Sequence, residues 1–312
     1  MSTVSDVLEG PFIVAGRHLL DTLEMVYLAR ASLQLRHLWS ETLQEKKVEV
    51  IDMRALEILL SKARGATFAS SALNFKKSFL TDDDMELLCS SPKFCITMSK
   101  VEDFCINVND ISDIGLSRWA HVGALLPFSS LTDFFAIDNL FGDEFMKVFA
   151  EAAGKGAFPS LRLMYLYGNA IGDDGFEALT EAMAQDAFAP KGLETLLVMG
   201  NKITDKGAVS LWKPMQLGRL RLLRSFGIGN GVSDEGLQML VEGGLQGNLP
   251  ELSELHLTEN PLTDKGIASL LQAREAGALE CLSHVGLEGT RTSARARRAV
   301  LDMLERREDE DG

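Results

Sequence analysis

The 312-residue chain is poor in the residues that mark several common protein classes. It has four cysteines, and none is spaced as Cys-x-x-Cys, which excludes a disulfide scaffold and a cysteine-based zinc site. No apolar run approaches the roughly 20 residues that cross a bilayer, and we expect neither a transmembrane segment nor a signal peptide. Lysine and arginine number 31 against 45 aspartates and glutamates, a formal net charge of −14. We therefore expect neither nucleic acid nor an anionic membrane as a partner.

What the sequence does have is an internal repeat of about 30 residues. Its pattern is Leu-x-x-Leu-x-Leu-x-x-Asn-x-Ile, then a small residue, Asp, any residue and Gly, as in residues 161–175. Copies begin at residues 101, 131, 161, 193, 223, 252 and 282, in steps of 29 to 32 residues, and a weaker copy begins at Leu73. About eight copies in near-constant register identify a leucine-rich repeat.

Each position of the repeat has a physical reason. The leucines predict a short strand whose apolar side chains enter a shared core, while the side chains between them face outward. The asparagine stands where the chain leaves the strand, and its amide can hydrogen-bond backbone groups of the neighbouring turn. The predicted asparagine ladder is Asn109, Asn139, Asn169, Asn201, Asn230 and Asn260. Pairs such as Thr204-Asp205 predict a helix N-cap with a carboxylate near the positive end of the helix dipole, and an amphipathic helix follows.

A strand and a full helix in about 30 residues resemble the ribonuclease-inhibitor-type leucine-rich repeat family, from about residue 70 to residue 304. The resemblance implies an α/β fold, a horseshoe-shaped solenoid with a parallel concave β-sheet and convex helices. We expect residues 1–66 to form a mainly helical N-terminal capping region. Residues 67–304 should hold the repeats and residues 305–312 an acidic tail.

The outward strand positions predict a binding surface at the centre of the concave sheet. Adjacent strands lie about 4.8 Å apart, so equivalent residues of successive repeats are neighbours. The resulting apolar and aromatic patch is Phe135, Ile137, Leu163, Tyr165, Tyr167, Leu197 and Met199. The polar positions around it include Asp103, Asp133, Glu254 and His256. Such patches mark protein interfaces, so we predict a protein partner with a basic surface. The alternative is that the N-terminal segment or another element of the chain folds across the patch.

The sequence holds no pattern that is typical of catalysis. Gly227–Gly231 looks like part of a dinucleotide-binding loop, but it occupies the turn of an ordinary repeat. His256 and His284 should approach each other on adjacent strands, yet no third metal ligand is in view. We predict no catalytic residue, no metal, no cofactor and no small-molecule substrate.

Two other functions stay open beside a non-enzymatic interaction module. Residues 26–39 resemble the second half of an F-box, a helical module that links leucine-rich repeats to ubiquitin ligases, but residues 10–13 depart from the usual Leu-Pro opening. Ran GTPase-activating proteins share this repeat type and have an acidic tail, although the tail here is far shorter. We expect a cytoplasmic protein, with the nucleus as the alternative location.

Overall fold

The computed structural model describes the backbone of residues 67–68, 71–188 and 192–310. The chain divides into two units, residues 1–64 and 65–312, and all described residues belong to the second unit. The predicted N-terminal capping region, with its F-box-like segment, lies outside the described residues and stays a prediction.

The repeats build one nine-stranded sheet whose strand order follows the chain. The strands are β1 (Thr67–Phe68), β2 (Ala72–Asn74), β3 (Asp103–Cys105), β4 (Asp133–Phe135), β5 (Leu163–Tyr165), β6 (Thr195–Thr204), β7 (Ser225–Gly231), β8 (Glu254–His256) and β9 (His284–Gly286). The eight strands β2 to β9 are parallel, one for each predicted copy of the repeat. Strand β1 pairs antiparallel with β2 and has no counterpart in the repeat pattern.

Helices connect successive parallel strands. They are α1 (Asp82–Cys89), α2 (Pro92–Met98), α3 (Asp113–Leu125), α4 (Asp143–Gly154), α5 (Asp173–Ala184), α6 (Asp205–Ser210), α7 (Trp212–Gln216), α8 (Asp234–Leu245), α9 (Asp264–Glu275) and α10 (Ala294–Glu310). Between β6 and β7 the helix is split, so that Pro214 falls in the first turn of α7, where a missing N–H breaks no helical bond. Helix α10 continues to Glu310, through most of the predicted acidic tail. Within the part of the chain described, no helix has both the length and the apolar character needed to span a membrane.

The apolar core lies between the sheet and the helices. The leucine positions of the repeat supply side chains such as Phe134 and Leu196, which are fully buried. Trp119 of α3 stacks on this layer, with its ring centroid 4.7 Å from that of Phe134 and 5.2 Å from that of Phe158. Because one set of strand residues enters this core, the alternate set lies on the other face of the sheet.

We call that other face the open face. Over β3 to β9 it consists of Asp103, Cys105, Asn107, Asp133, Phe135, Ile137, Leu163, Tyr165, Tyr167, Thr195, Leu197, Met199, Ser225, Gly227, Gly229, Glu254, His256, Thr258, His284, Gly286 and Glu288. The α/β solenoid predicted from the repeats is confirmed by this arrangement of strands and helices.

The asparagine positions join neighbouring repeats. Asn201 donates from Nδ2 to the carbonyl oxygens of Leu166 and Val198, both at 3.0 Å, and its Oδ1 accepts the N–H of Ile171 at 2.9 Å. The asparagines that likewise donate to a carbonyl of the preceding repeat are Asn109, Asn139, Asn169 and Asn260. These bonds satisfy backbone groups that would otherwise be buried without a partner.

Asn230 departs from the predicted ladder. It is exposed, and its Oδ1 accepts the N–H of Gly200 at 2.9 Å. Its repeat is one residue short, and the register sets Gly229 beside Met199, so Asn230 occupies the position of Gly200 rather than that of Asn201. Asn230 therefore still hydrogen-bonds a backbone group of the neighbouring repeat, but from an exposed position outside the row of buried asparagines.

A second set of contacts joins the helix N-termini of adjacent repeats. The predicted N-cap is confirmed at Thr204, whose hydroxyl accepts the N–H of Lys206. The carboxylate of Asp173 accepts the N–H of Thr204 at 2.8 Å and that of Gly207 at 2.9 Å, so it caps α6. Because Asp173 is also the first residue of α5, its negative charge lies near the positive end of the dipole of that helix. The aspartates with an equivalent bond to the next repeat are Asp82, Asp113, Asp143, Asp205, Asp234 and Asp264.

Candidate functional site

An apolar and aromatic surface occupies the open face over β4, β5 and β6. The register places Phe135, Tyr165 and Leu197 side by side, and the rings of Phe135 and Tyr165 stack with their centroids 4.9 Å apart. We call this surface the central patch, and it contains Phe135, Ile137, Leu163, Tyr165, Tyr167, Leu197 and Met199. The structure thus brings together all seven residues that the sequence placed there.

Exposure differs within the central patch. Ile137 and Leu197 are 9% and 8% exposed, so they form its floor. Phe135, Tyr165 and Met199 are half-buried and stand above this floor. The patch therefore offers aromatic and thioether surface to a partner while its base is already packed.

The central patch ends at a strand with almost no side chains. Ser225, Gly227 and Gly229 are the open-face residues of β7, and the Sδ of Met199 lies where a Cβ of Gly227 would be. Glu254 and His256 follow on β8, three strands from Tyr165, or about 14 Å at ordinary strand spacing. These two predicted site residues consequently belong to a separate polar cluster.

The two predicted aspartates lie on the other side of the central patch. Asp103 and Asp133 are directly opposite each other on β3 and β4, so their carboxyl groups are neighbours on the open face. Burial and the neighbouring Asp103 carboxylate raise the pKa of Asp133 above its ordinary value. Burial and the charge of Asp133 also raise the pKa of the Tyr165 phenol. The electrostatic influence of the acidic pair therefore reaches the aromatic rings.

The polar cluster over β7, β8 and β9 contains Ser225, Glu254, His256 and His284. The hydroxyl of Ser225 donates to Glu254 Oε2 at 2.8 Å, and this bond, with a smaller contribution from His256, lowers the pKa of Glu254. His256 Nε2 lies 3.5 Å from Ser225 Oγ and 3.4 Å from Glu254 Oε2. In a catalytic triad the serine and the carboxylate face different ring nitrogens, whereas here they face the same one. The arrangement does not fit nucleophilic catalysis.

The predicted approach of His256 and His284 is confirmed, with ring centroids 5.3 Å apart. The described residues nevertheless contain no group of three or more histidine, cysteine or carboxylate side chains arranged to hold a metal ion. The cluster is a group of hydrogen-bonded polar side chains at one edge of the open face.

One ion pair near the central patch was not predicted. Arg162 donates from Nε to Glu194 Oε1 at 2.8 Å and from its terminal nitrogen to Glu194 Oε2 at 2.6 Å. Arg162 and Glu194 occupy the same repeat position, immediately before β5 and β6. Opposite charges at one position of adjacent repeats are the signal that could have revealed this pair.

Comparison with known proteins supports the repeat architecture. A family model described as "Leucine Rich repeat" matches residues 193–211 and 249–271. The crystal structure of an internalin (InlF) from Listeria monocytogenes is similar at 12% sequence identity and a TM-score of 0.25, covering 79% of this chain and 92% of that one. No curated protein matches the chain. The family match thus identifies leucine-rich repeats in residues 193–211 and 249–271. Such repeats generally mediate protein–protein interaction.

Proposed function

We propose that this chain is a non-enzymatic interaction module whose central patch binds another protein. The observation that carries the proposal is the stacked pair of Phe135 and Tyr165, half-buried on a regular sheet beside Met199. Aromatic side chains in such a setting are the residues on which protein interfaces most often depend, each with about 2 kcal/mol or more of binding free energy.

The sheet supports the proposal because it holds these side chains in place before a partner arrives. Phe135, Tyr165 and Leu197 lie on three hydrogen-bonded strands, and Ile137 packs beneath them. A partner therefore binds without ordering a loop, which reduces the entropic cost of association. Ser225 and Glu254 both face Nε2 of His256, and this geometry favours a binding role over catalysis.

The test is affinity purification with quantitative mass spectrometry, comparing the wild-type chain with Tyr165→Ala/Met199→Glu. The double variant should lose at least 90% of the captured partner, because it removes one aromatic anchor and places a charge in the patch. Val209→Glu is the control, since it adds the same charge at a half-exposed position of α6, outside the open face. Equal capture by all three proteins, with similar melting temperatures, would reject the proposal.

We also propose that the repeats are of the ribonuclease-inhibitor type and that the protein is cytoplasmic or nuclear. Its partner is then neither nucleic acid nor a membrane. These proposals rest on composition and on the repeat pattern. The F-box-like and GTPase-activating alternatives stay predictions as well. Copurification of an adaptor protein with residues 1–45 would support the first, and a single-turnover GTP hydrolysis assay would test the second.

A further inference from the structure

The charge of the open face is mostly negative. Its 21 positions over β3 to β9 include four carboxylates, two histidines and neither lysine nor arginine, and the alternate positions that begin with β2 (Ala72, Asn74 and Lys76) add one lysine. Two arginines stand at the starts of nearby strands, but Arg162 is held by Glu194 and Arg224 lies 3.7 Å from Glu251. The surface that borders the central patch therefore attracts positive charge.

Two of these carboxylates face each other at the edge of the central patch. Asp103 and Asp133 sit at paired positions of adjacent strands, an arrangement that is unfavourable for like charges. Burial and the charge of Asp103 raise the pKa of Asp133, because two negative charges at paired positions repel each other. When both are ionised, a cation supplied from outside would relieve the repulsion.

The acidic pair and the aromatic rings lie within reach of one short segment of chain. Phe135 follows Asp133 by two residues on the same face of β4, about 7 Å along the strand. Tyr165 stacks on Phe135 from the next strand. Neighbouring side chains of a bound segment can therefore contact the rings and the carboxylates together.

We propose that the central patch binds a basic segment of a protein partner, an inference that rests on the proposed function. In this segment an apolar side chain packs on Phe135 and Tyr165, and an adjacent lysine or arginine binds between Asp103 and Asp133. A guanidinium or ammonium group in that place also lies near aromatic ring faces, which adds a cation–π attraction. An acidic segment would be repelled by the two carboxylates.

The experiment selects peptides from a phage-displayed library of random 16-residue sequences on the full chain. We expect the selected peptides to combine an aromatic or aliphatic residue with a nearby lysine or arginine. The best peptide is then synthesised with a fluorescent label, and its Kd is measured by anisotropy for the wild type and for Asp103→Asn/Asp133→Asn. The variant should bind about tenfold more weakly and with less dependence on salt.

Two controls isolate the contact. Glu177→Gln/Glu235→Gln removes two negative charges from exposed positions of α5 and α8 and should change Kd less than about twofold. A peptide whose basic residue is replaced by glutamine should bind the wild type and Asp103→Asn/Asp133→Asn about equally, because the peptide then has no positive charge for the two carboxylates to bind.

The outcomes separate this inference from the proposed function. Selected peptides without basic residues, or unchanged binding by Asp103→Asn/Asp133→Asn, would overturn the inference. If Tyr165→Ala/Met199→Glu abolished binding in that same experiment, the proposed function would still stand. If the library yielded no peptide, the inference would fail, and the affinity purification described above would decide the proposed function separately.

Discussion

Residues at equivalent sequence positions do different work in neighbouring repeats, as Asn201 and Asn230 illustrate. Asn201 is buried and donates to carbonyl oxygens of two strands. Asn230 is exposed and accepts a single backbone N–H. A missing residue before Asn230 shifts it out of the buried row, so the same amide group contributes less to the joint between repeats.

We therefore expect Asn201→Ala to lower the free energy of unfolding by about 2–4 kcal/mol, because it leaves several buried backbone groups without partners. Asn230→Ala should cost less than about 1 kcal/mol, since water can replace its one bond. Urea denaturation of both variants checks the difference. Equal losses would show that Asn230 contributes more than its contacts indicate.

The acidic pair on the open face predicts that removing one of its charges increases thermal stability in a pH-dependent way. The raised pKa means that folded Asp133 holds its proton more tightly than the unfolded chain does, so ionisation costs stability above the folded pKa. Asp133→Asn should raise Tm by about 1–3 °C at pH 7. The advantage should disappear as pH falls towards 3.8, the ordinary value, because the wild type is then protonated.

Scanning calorimetry across this pH range is the measurement. Glu275→Gln, at an exposed position at the end of α9, is the matched control for the loss of one negative charge. A wild type that is more stable than Asp133→Asn at pH 7 would contradict the repulsion between Asp103 and Asp133.

At the scale of the elements, the helix N-termini of adjacent repeats are joined, because an aspartate of one repeat caps the first helix of the next. Asp173 reaches the N-terminus of α6 only because the third residue of that helix is Gly207. A Cβ at Gly207 would lie 2.6 Å from Asp173 Oδ1 and 2.7 Å from a methyl carbon of Ile203. The glycine is thus required by a contact between repeats.

This requirement reverses the usual effect of replacing a helical glycine. Gly207→Ala should lower the free energy of unfolding by about 1–3 kcal/mol, because Asp173 must give up its capping position. Gly154→Ala, at the end of α4, has open space around the added methyl group and should stabilise by about 0.4–1 kcal/mol. Thermal unfolding followed by circular dichroism compares them, and a stabilising Gly207→Ala would refute the capping argument.

The sequence predicts the elements well because the repeat reports strand alternation directly. The alternate positions Phe135, Tyr165 and Leu197 had to share a face once Phe134 and Leu196 were assigned to the core. The repeat pattern does not specify contacts that depend on the direction of a side chain. The raised pKa of Asp133 and the reach of Asp173 to the next helix depend on rotamers and on the spacing of helices, which the periodicity does not contain.

At the scale of the whole described unit, stability is carried by joints between adjacent repeats. The sheet pairs each strand only with its sequence neighbours, and the asparagine and aspartate contacts join one repeat to the next. In such a one-dimensional array, a local loss of packing weakens the damaged repeat and its neighbours before it affects distant ones.

Leu270→Ala and Leu116→Ala test this behaviour as a reciprocal pair. Both leucines are fully buried, the first in α9 and the second in α3, so each change should cost about 2–5 kcal/mol locally. In hydrogen exchange measured by mass spectrometry, Leu270→Ala should lose protection within residues 254–300 and keep it within residues 103–160. Leu116→Ala should show the opposite pattern. A uniform loss of protection in both variants would instead mean that the repeats unfold as one cooperative unit, because a defect at either end would then destabilise all of them equally.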